Sequence, residues 1–78
     1  MKDLVEFLAK RLVNHPESVE VRETRSETAS VLELRVAPED LGRVIGKQGR
    51  TAKSIRTILN AVASRSNQRV ILEILEDQ

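Results

Sequence analysis

The 78-residue chain has no cysteine, no tryptophan and no tyrosine, a single phenylalanine, two prolines and three glycines. Without cysteine there is no disulfide framework, no thiolate zinc site and no iron–sulfur cluster, which suits a reducing compartment and makes the cytosol the default expectation. Long apolar runs are also missing. The N-terminal stretch carries Asp3 and Glu6 among its apolar residues, so it has the form of neither a secretion signal nor a membrane span. Net charge is nearly absent too: thirteen Lys and Arg stand against twelve Asp and Glu, a formal +1. Taken whole, that balance argues against a grip on nucleic acid by bulk positive charge. Small size excludes more. A chain this short buries only roughly 60–65% of its unfolded surface, so a deep cleft around a large substrate would consume most of its interior. A surface site is favoured.

What is present fits one globular domain over residues 1–78, with 40% hydrophobic and 32% charged residues. The charges are segregated. Residues 1–40 hold six basic and nine acidic side chains, and residues 41–78 hold seven and three. From Leu41 to Arg69 the chain carries Arg43, Lys47, Arg50, Lys53, Arg56, Arg65 and Arg69 without a single acid. Such asymmetry signals either an anionic partner or a solvated cationic helix face balanced by the acidic half.

Periodicity sets the elements. Leu4, Val5, Leu8 and Leu12, with Phe7 at the margin and assigned to the core, recur at helical spacing over residues 2–14, opposite Lys2, Glu6 and Lys10. Asn14-His15-Pro16 ends that helix, because a residue before proline leaves helical geometry and Asn tolerates the left-handed conformation. Alternation follows. Val19 and Val21 alternate with Glu20 and Arg22, and Leu32, Leu34 and Val36 with Glu33 and Arg35, which predicts two strands joined by a polar hairpin loop over residues 26–30. Pro38-Glu39-Asp40 starts a short helix, with proline in the first turn and two acids near the positive end of the dipole. Gly46 and Gly49 interrupt it. A second periodic segment begins at Arg50 and runs to about Ser66, with Ala52, Ile55, Leu59, Val62 and Ser66 on one stripe and Lys53, Thr57, Asn60 and Ser64 opposite. Val70 to Leu75 form a last strand, and Glu76-Asp77-Gln78 a polar tail. The expected fold is α+β in the order α-β-β-α-α-β, with three helices on one face of a three-stranded mixed sheet.

Enzymatic signals are weak, and no catalytic residue, metal site or cofactor is expected. The lone His15 reads as a turn residue. The acids of the first half alternate with arginines along strands and read as solvated. Gly42-Arg43-Val44-Ile45-Gly46-Lys47-Gln48 evokes a nucleotide-binding loop but has three residues between its glycines where a Walker loop has four, and Gln48 where that loop has Ser or Thr. A dinucleotide fingerprint is absent as well. There remains Gly46-Lys47-Gln48-Gly49 between two helices. Taken alone it is a helix–helix turn. In context, its glycines let a sugar–phosphate strand approach, the helix N-terminus at Arg50 favours anionic oxygens, and Lys47 adds a cation.

The run Leu41-Gly42-Arg43-Val44-Ile45-Gly46-Lys47-Gln48-Gly49-Arg50 resembles the signature of KH domains, whose G-x-x-G loop clamps about four nucleotides of a single strand. The element order is that of the prokaryotic, type II form. A chain of this length opening Met-Lys-Asp-Leu-Val-Glu-Phe-Leu-Ala-Lys, with Val-Arg-Glu from Val21, is similar throughout to the bacterial KhpA (YlqC) family. The resemblance implies a non-enzymatic cytoplasmic single-stranded RNA-binding protein and RNA chaperone. It also implies pairing, as a homodimer or with a second KH protein of the KhpB (Jag) type, and a link to cell elongation, cell shape, envelope growth and peptidoglycan homeostasis. It assigns Gly46, Lys47, Gln48 and Gly49 to the backbone clamp, Arg50 and Thr51 to its continuation, and Val44 and Ile45 to the floor where bases rest. Ile45 reads equally as plain core, and Ile55 reads as core. By helical angle Lys53 is a phosphate contact, with Arg43 and Arg56 similar, while Arg65 and Arg69 are surface charges and Leu34 and Arg35 border the groove. No base-stacking aromatic is available, so roughly 1–3 kcal/mol per stacked base is forgone and one copy should bind weakly. The rival reading is a KH-like dimerisation module with little RNA binding, in which Ile58 and Leu75 serve an interface.

Overall fold

The computed structural model describes residues 1–76. In chain order the elements are α1 (Lys2–Leu12), β1 (Glu20–Arg25), β2 (Ala29–Arg35), α2 (Leu41–Ile45), α3 (Arg50–Ala63) and β3 (Arg69–Ile74), with short 3-10 turns at Pro16–Ser18, Pro38–Asp40, Lys47–Gly49 and Ser64–Ser66. The order α-β-β-α-α-β is the one periodicity predicts. The tail expected at Asp77 and Gln78 lies outside the described residues.

The sheet runs β1-β2-β3, so β2 is central and β3 is an edge. β1 pairs antiparallel with β2, Val21 opposite Leu34, and β2 pairs parallel with β3, Leu32 beside Leu72. Alternation puts Val21, Leu32, Leu34, Val70 and Leu72 on the covered face, where they meet Val5 and Ala9 of α1, Val44 of α2 and Ile55, Leu59 and Ala63 of α3 in one core. The hairpin loop is tighter than expected. Ala29 and Ser30 already belong to β2, because Ser26 closes the turn in both directions: its N–H donates to the Ala29 carbonyl at 2.8 Å, and its hydroxyl accepts from the Ala29 N–H at 3.2 Å.

Three expectations need correction. Phe7 is not core: it is 59% exposed, and Arg11 lies 5.6 Å from its ring centroid. On α3 the buried stripe is Ala52, Ile55, Leu59 and Ala63, whereas Val62 is 48% exposed. A spacing of three and a spacing of four both fit a 3.6-residue turn, and the smaller side chain takes the packed position beside the turn into β3. Finally, Asn14 does not close α1 in a left-handed conformation. The last helical residue is Leu12, Val13 is extended, and the next two amides are held elsewhere.

Their holder is Asp40. This carboxylate, expected only as a helix-start acid near the positive end of the dipole, is 1% exposed. Oδ1 accepts the Asn14 N–H at 3.1 Å and Oδ2 the His15 N–H at 2.9 Å. One side chain thus ties the corner after α1 to the start of α2, the helix that leads into the glycine loop.

Candidate functional site

The loop's shape follows from its residues. α2 stops at Ile45 because Gly46 adopts φ 78°, ψ 170°, a region essentially restricted to glycine. Space imposes the same choice: a Cβ at Gly46 would overlap the Thr51 side chain and lie 2.8 Å from the Thr51 nitrogen. Gly49 is left-handed at φ 74°, ψ 11° with open space around it, so its requirement is conformational only. Between them Gln48 is left-handed as well, at φ 58°, ψ 26°, a feature that two glycines in sequence do not announce. Its side-chain oxygen accepts from Arg50 Nη2 at 3.0 Å. The Gly49 N–H donates to the Gly46 carbonyl at 3.0 Å and the Arg50 N–H to the Lys47 carbonyl, which closes the turn internally.

α3 then begins with Gly49 at its cap, no capping side chain and no acid in its first turn. First-turn amides have no carbonyl partner within their own helix, and the helix dipole makes this end positive. Lys47, Arg50 and Lys53 are exposed around it and form no ion pair among the described residues. The arrangement is suited to anionic oxygens. Arg43 differs: its Nε lies 3.6 Å from Asp40 Oδ1, so its charge is partly compensated. Among the described residues no group of three His, Cys, Asp or Glu side chains is gathered for a metal ion, and no helix is long and apolar enough to cross a membrane.

Most of the residues selected from the sequence come together here, and others do not. Gly46, Lys47, Gln48, Gly49, Arg50, Thr51 and Lys53 form the loop and the first turn of α3, and Ile45 sits half-buried just before it. Val44 has 0% exposure, so it supports the loop from inside the core and has no surface for a base. Leu34 also has 0% exposure and lies on the central strand, which corrects its placement at the groove border. The strand beside α3 is β3. Arg35 is exposed on the open sheet face near Glu20, Arg22, Glu33 and Leu75. Arg65 and Arg69 lie past the far end of α3, whose 14 residues span about 21 Å. Arg56 reaches the β3 backbone, donating to the Leu72 carbonyl. The sequence signal for that contact was the helical angle of Arg56, one position beyond Ile55, and it does not by itself say which strand lies alongside.

An α-β-β-α-α-β fold with a G-x-x-G turn between its second and third helices is a type II KH domain. The family model described as "KhpA/KhpB, KH domain" matches residues 2–74, and the chain belongs to that family. It is 55% identical over 75 residues to the RNA-binding protein KhpA of Clostridium perfringens, covering 96% of this chain and 100% of the relative. To the RNA-binding protein KhpA of Aquifex aeolicus it is 53% identical over 76 residues, 97% and 96% of the two chains, and to that of Chlamydia caviae 49% identical over 78 residues, the whole of both.

Proposed function

We propose that residues 1–78 act as a single KH domain that binds single-stranded RNA without catalysing a reaction. The Gly46–Gly49 loop and the first turn of α3 hold the phosphate backbone, and bases lie along the groove between α3 and the edge of β3. One observation carries this reading: the uncapped, acid-free N-terminus of α3 lies beside a closed glycine turn and three exposed cations that form no ion pair among the described residues. The relatives' name, RNA-binding protein KhpA, supports the choice of ligand. In this reading Lys47, Arg50 and Lys53 contact phosphates, Gln48 and Thr51 shape the turn, Ile45 borders the bases, and Arg43 contributes less because of Asp40. By family resemblance the protein works in the cytoplasm as an RNA chaperone, pairs with itself or with a KhpB (Jag)-type protein, and takes part in control of cell elongation and envelope growth.

The test is a titration of a fluorescent unstructured RNA with the parent and with a Lys47→Asp, Gln48→Asp variant. The variant is expected to stay folded and lose most of its binding. A folded variant that binds as well as the parent would sink the clamp.

A second reading, a protein-docking module, is favoured by the exposure of Ile58 (44%) and Val62 (48%) on α3 and of Phe7 on α1. Mass by light scattering for the parent and for Ile58→Asp tests it: a parent that is monomeric at high concentration removes self-association from consideration.

A further inference from the structure

The free edge of β3 holds an arginine in an unusual setting. The N–H groups of Arg69 and Leu75 bond to the carbonyls of Thr28 and Leu34 on the β2 side. Backbone groups alternate along a strand, so Val70, Leu72 and Ile74 turn theirs toward the free edge. There the Leu72 carbonyl accepts Arg56 Nε at 3.4 Å and Nη2 at 3.2 Å from α3. α3 and β3, joined by the turn at residues 64–68, run in opposite directions, and this contact bridges the space between them.

A guanidinium is a rigid plane with five N–H donors. Placing Nε and Nη2 on one oxygen uses the side-on edge of the plane. The end-on edge, with Nη1 and the outer hydrogen of Nη2, has no partner among the described residues. Most surface arginines sample many rotamers, and their ordering opposes binding. Arg56 is ordered in advance by its own strand. It also lies six residues beyond Arg50, about 9 Å along the helix, past the loop cations that suit phosphates.

We propose that Arg56 is a specificity-determining residue, whose free end-on edge selects a base presenting two adjacent hydrogen-bond acceptors. Guanine offers O6 and N7, and cytosine offers O2 and N3. Adenine places an amino donor beside its acceptors, and uracil places a ring N–H between its carbonyls, so each meets the two parallel donors with a mismatch. The inference rests on the RNA-binding reading above and adds base choice to it.

The experiment measures affinity by fluorescence anisotropy for an octamer of adenosine and for octamers whose two central positions are cytidine, guanosine or uridine. The parent is expected to bind the cytidine or the guanosine octamer about 5- to 100-fold tighter than the adenosine octamer, and the two arms distinguish the bases. Arg56→Lys keeps the charge without the planar edge. It is expected to bring all four octamers within about twofold of one another, with the octamer the parent prefers losing the most. A ligand-side control leaves the protein untouched: 7-deazaguanosine for guanosine, or 2-thiocytidine for cytidine, should abolish the advantage on the parent. Equal affinity of the parent for all four octamers overturns the assignment, and so does an Arg56→Lys variant that weakens all four to the same degree, since Arg56 is then a backbone contact. A parent that binds none of them overturns the RNA-binding reading itself.

Discussion

Replacing Asp40 by alanine probes how the loop-bearing helix is anchored. The carboxylate is 1% exposed and receives two amides, from Asn14 and His15, at 3.1 and 2.9 Å. Hydrogen bonds to a charged group contribute about 1.5–3 kcal/mol each. Both bonds are only part-buried and Asn14 is exposed, so water recovers some of that loss, and Asp40→Ala is expected to cost about 2–4 kcal/mol. A domain of this length has a total stability of about 4–12 kcal/mol, so the loss is a large fraction of the whole. At about 4–8 °C per kcal/mol for a small domain, the midpoint should fall by about 10–30 °C. Circular dichroism melts and urea titrations of the parent, Asp40→Ala and Asp40→Asn measure it. Asparagine keeps one acceptor but turns an NH2 toward the second amide, so it should recover less than half of the loss. Arg43→Ala separates the ion pair from the amide bonds. Its side chain is 54% exposed and its Nε is 3.6 Å from the carboxylate, so it should cost under about 1 kcal/mol. An Asp40→Ala melt within 3 °C or so of the parent would refute the anchoring role, given the stability scale above.

The loop makes its own predictions. Gly46→Ala meets both a forbidden conformation and the Thr51 side chain, whereas Gly49→Ala meets only a left-handed backbone costing about 1–2 kcal/mol. Urea unfolding should rank Gly46→Ala as clearly the more damaging, and equal losses would show that Thr51 yields easily. If three phosphates are contacted, the logarithm of RNA affinity should fall against that of salt with a slope near −2, at about −0.7 per phosphate for single strands. A flat dependence would remove Lys47, Arg50 and Lys53 from the backbone contacts.

Much of this protein is legible in its sequence because the relevant physics is local. Helical spacing, strand alternation and turn chemistry depend on residues a few positions apart, and they yield the order α-β-β-α-α-β, the break at Gly46 and Gly49, and the cations around it. The KH resemblance rests on the same contiguous run from Leu41 to Arg50. Even so, local pattern does not mark Gln48 as left-handed, and spacing alone is indifferent between Val62 and Ala63, of which the structure buries Ala63.

Tertiary structure decided what depends on distant residues. Asp40 reads as a helix-start acid until the corner 25 and 26 residues earlier in the chain folds over it and supplies two donors. Val44 and Leu34 carry the right chemistry to line a groove, yet the sheet order and the packing of α2 enclose both. Arg56 looks like one more cation until β3, 16 residues later, brings the Leu72 carbonyl beneath it. Charge and turn geometry are written locally and survive any packing. Burial and hydrogen-bond pairing belong to whichever surfaces the fold presses together, and those partners exist only once the sheet has closed on its helices.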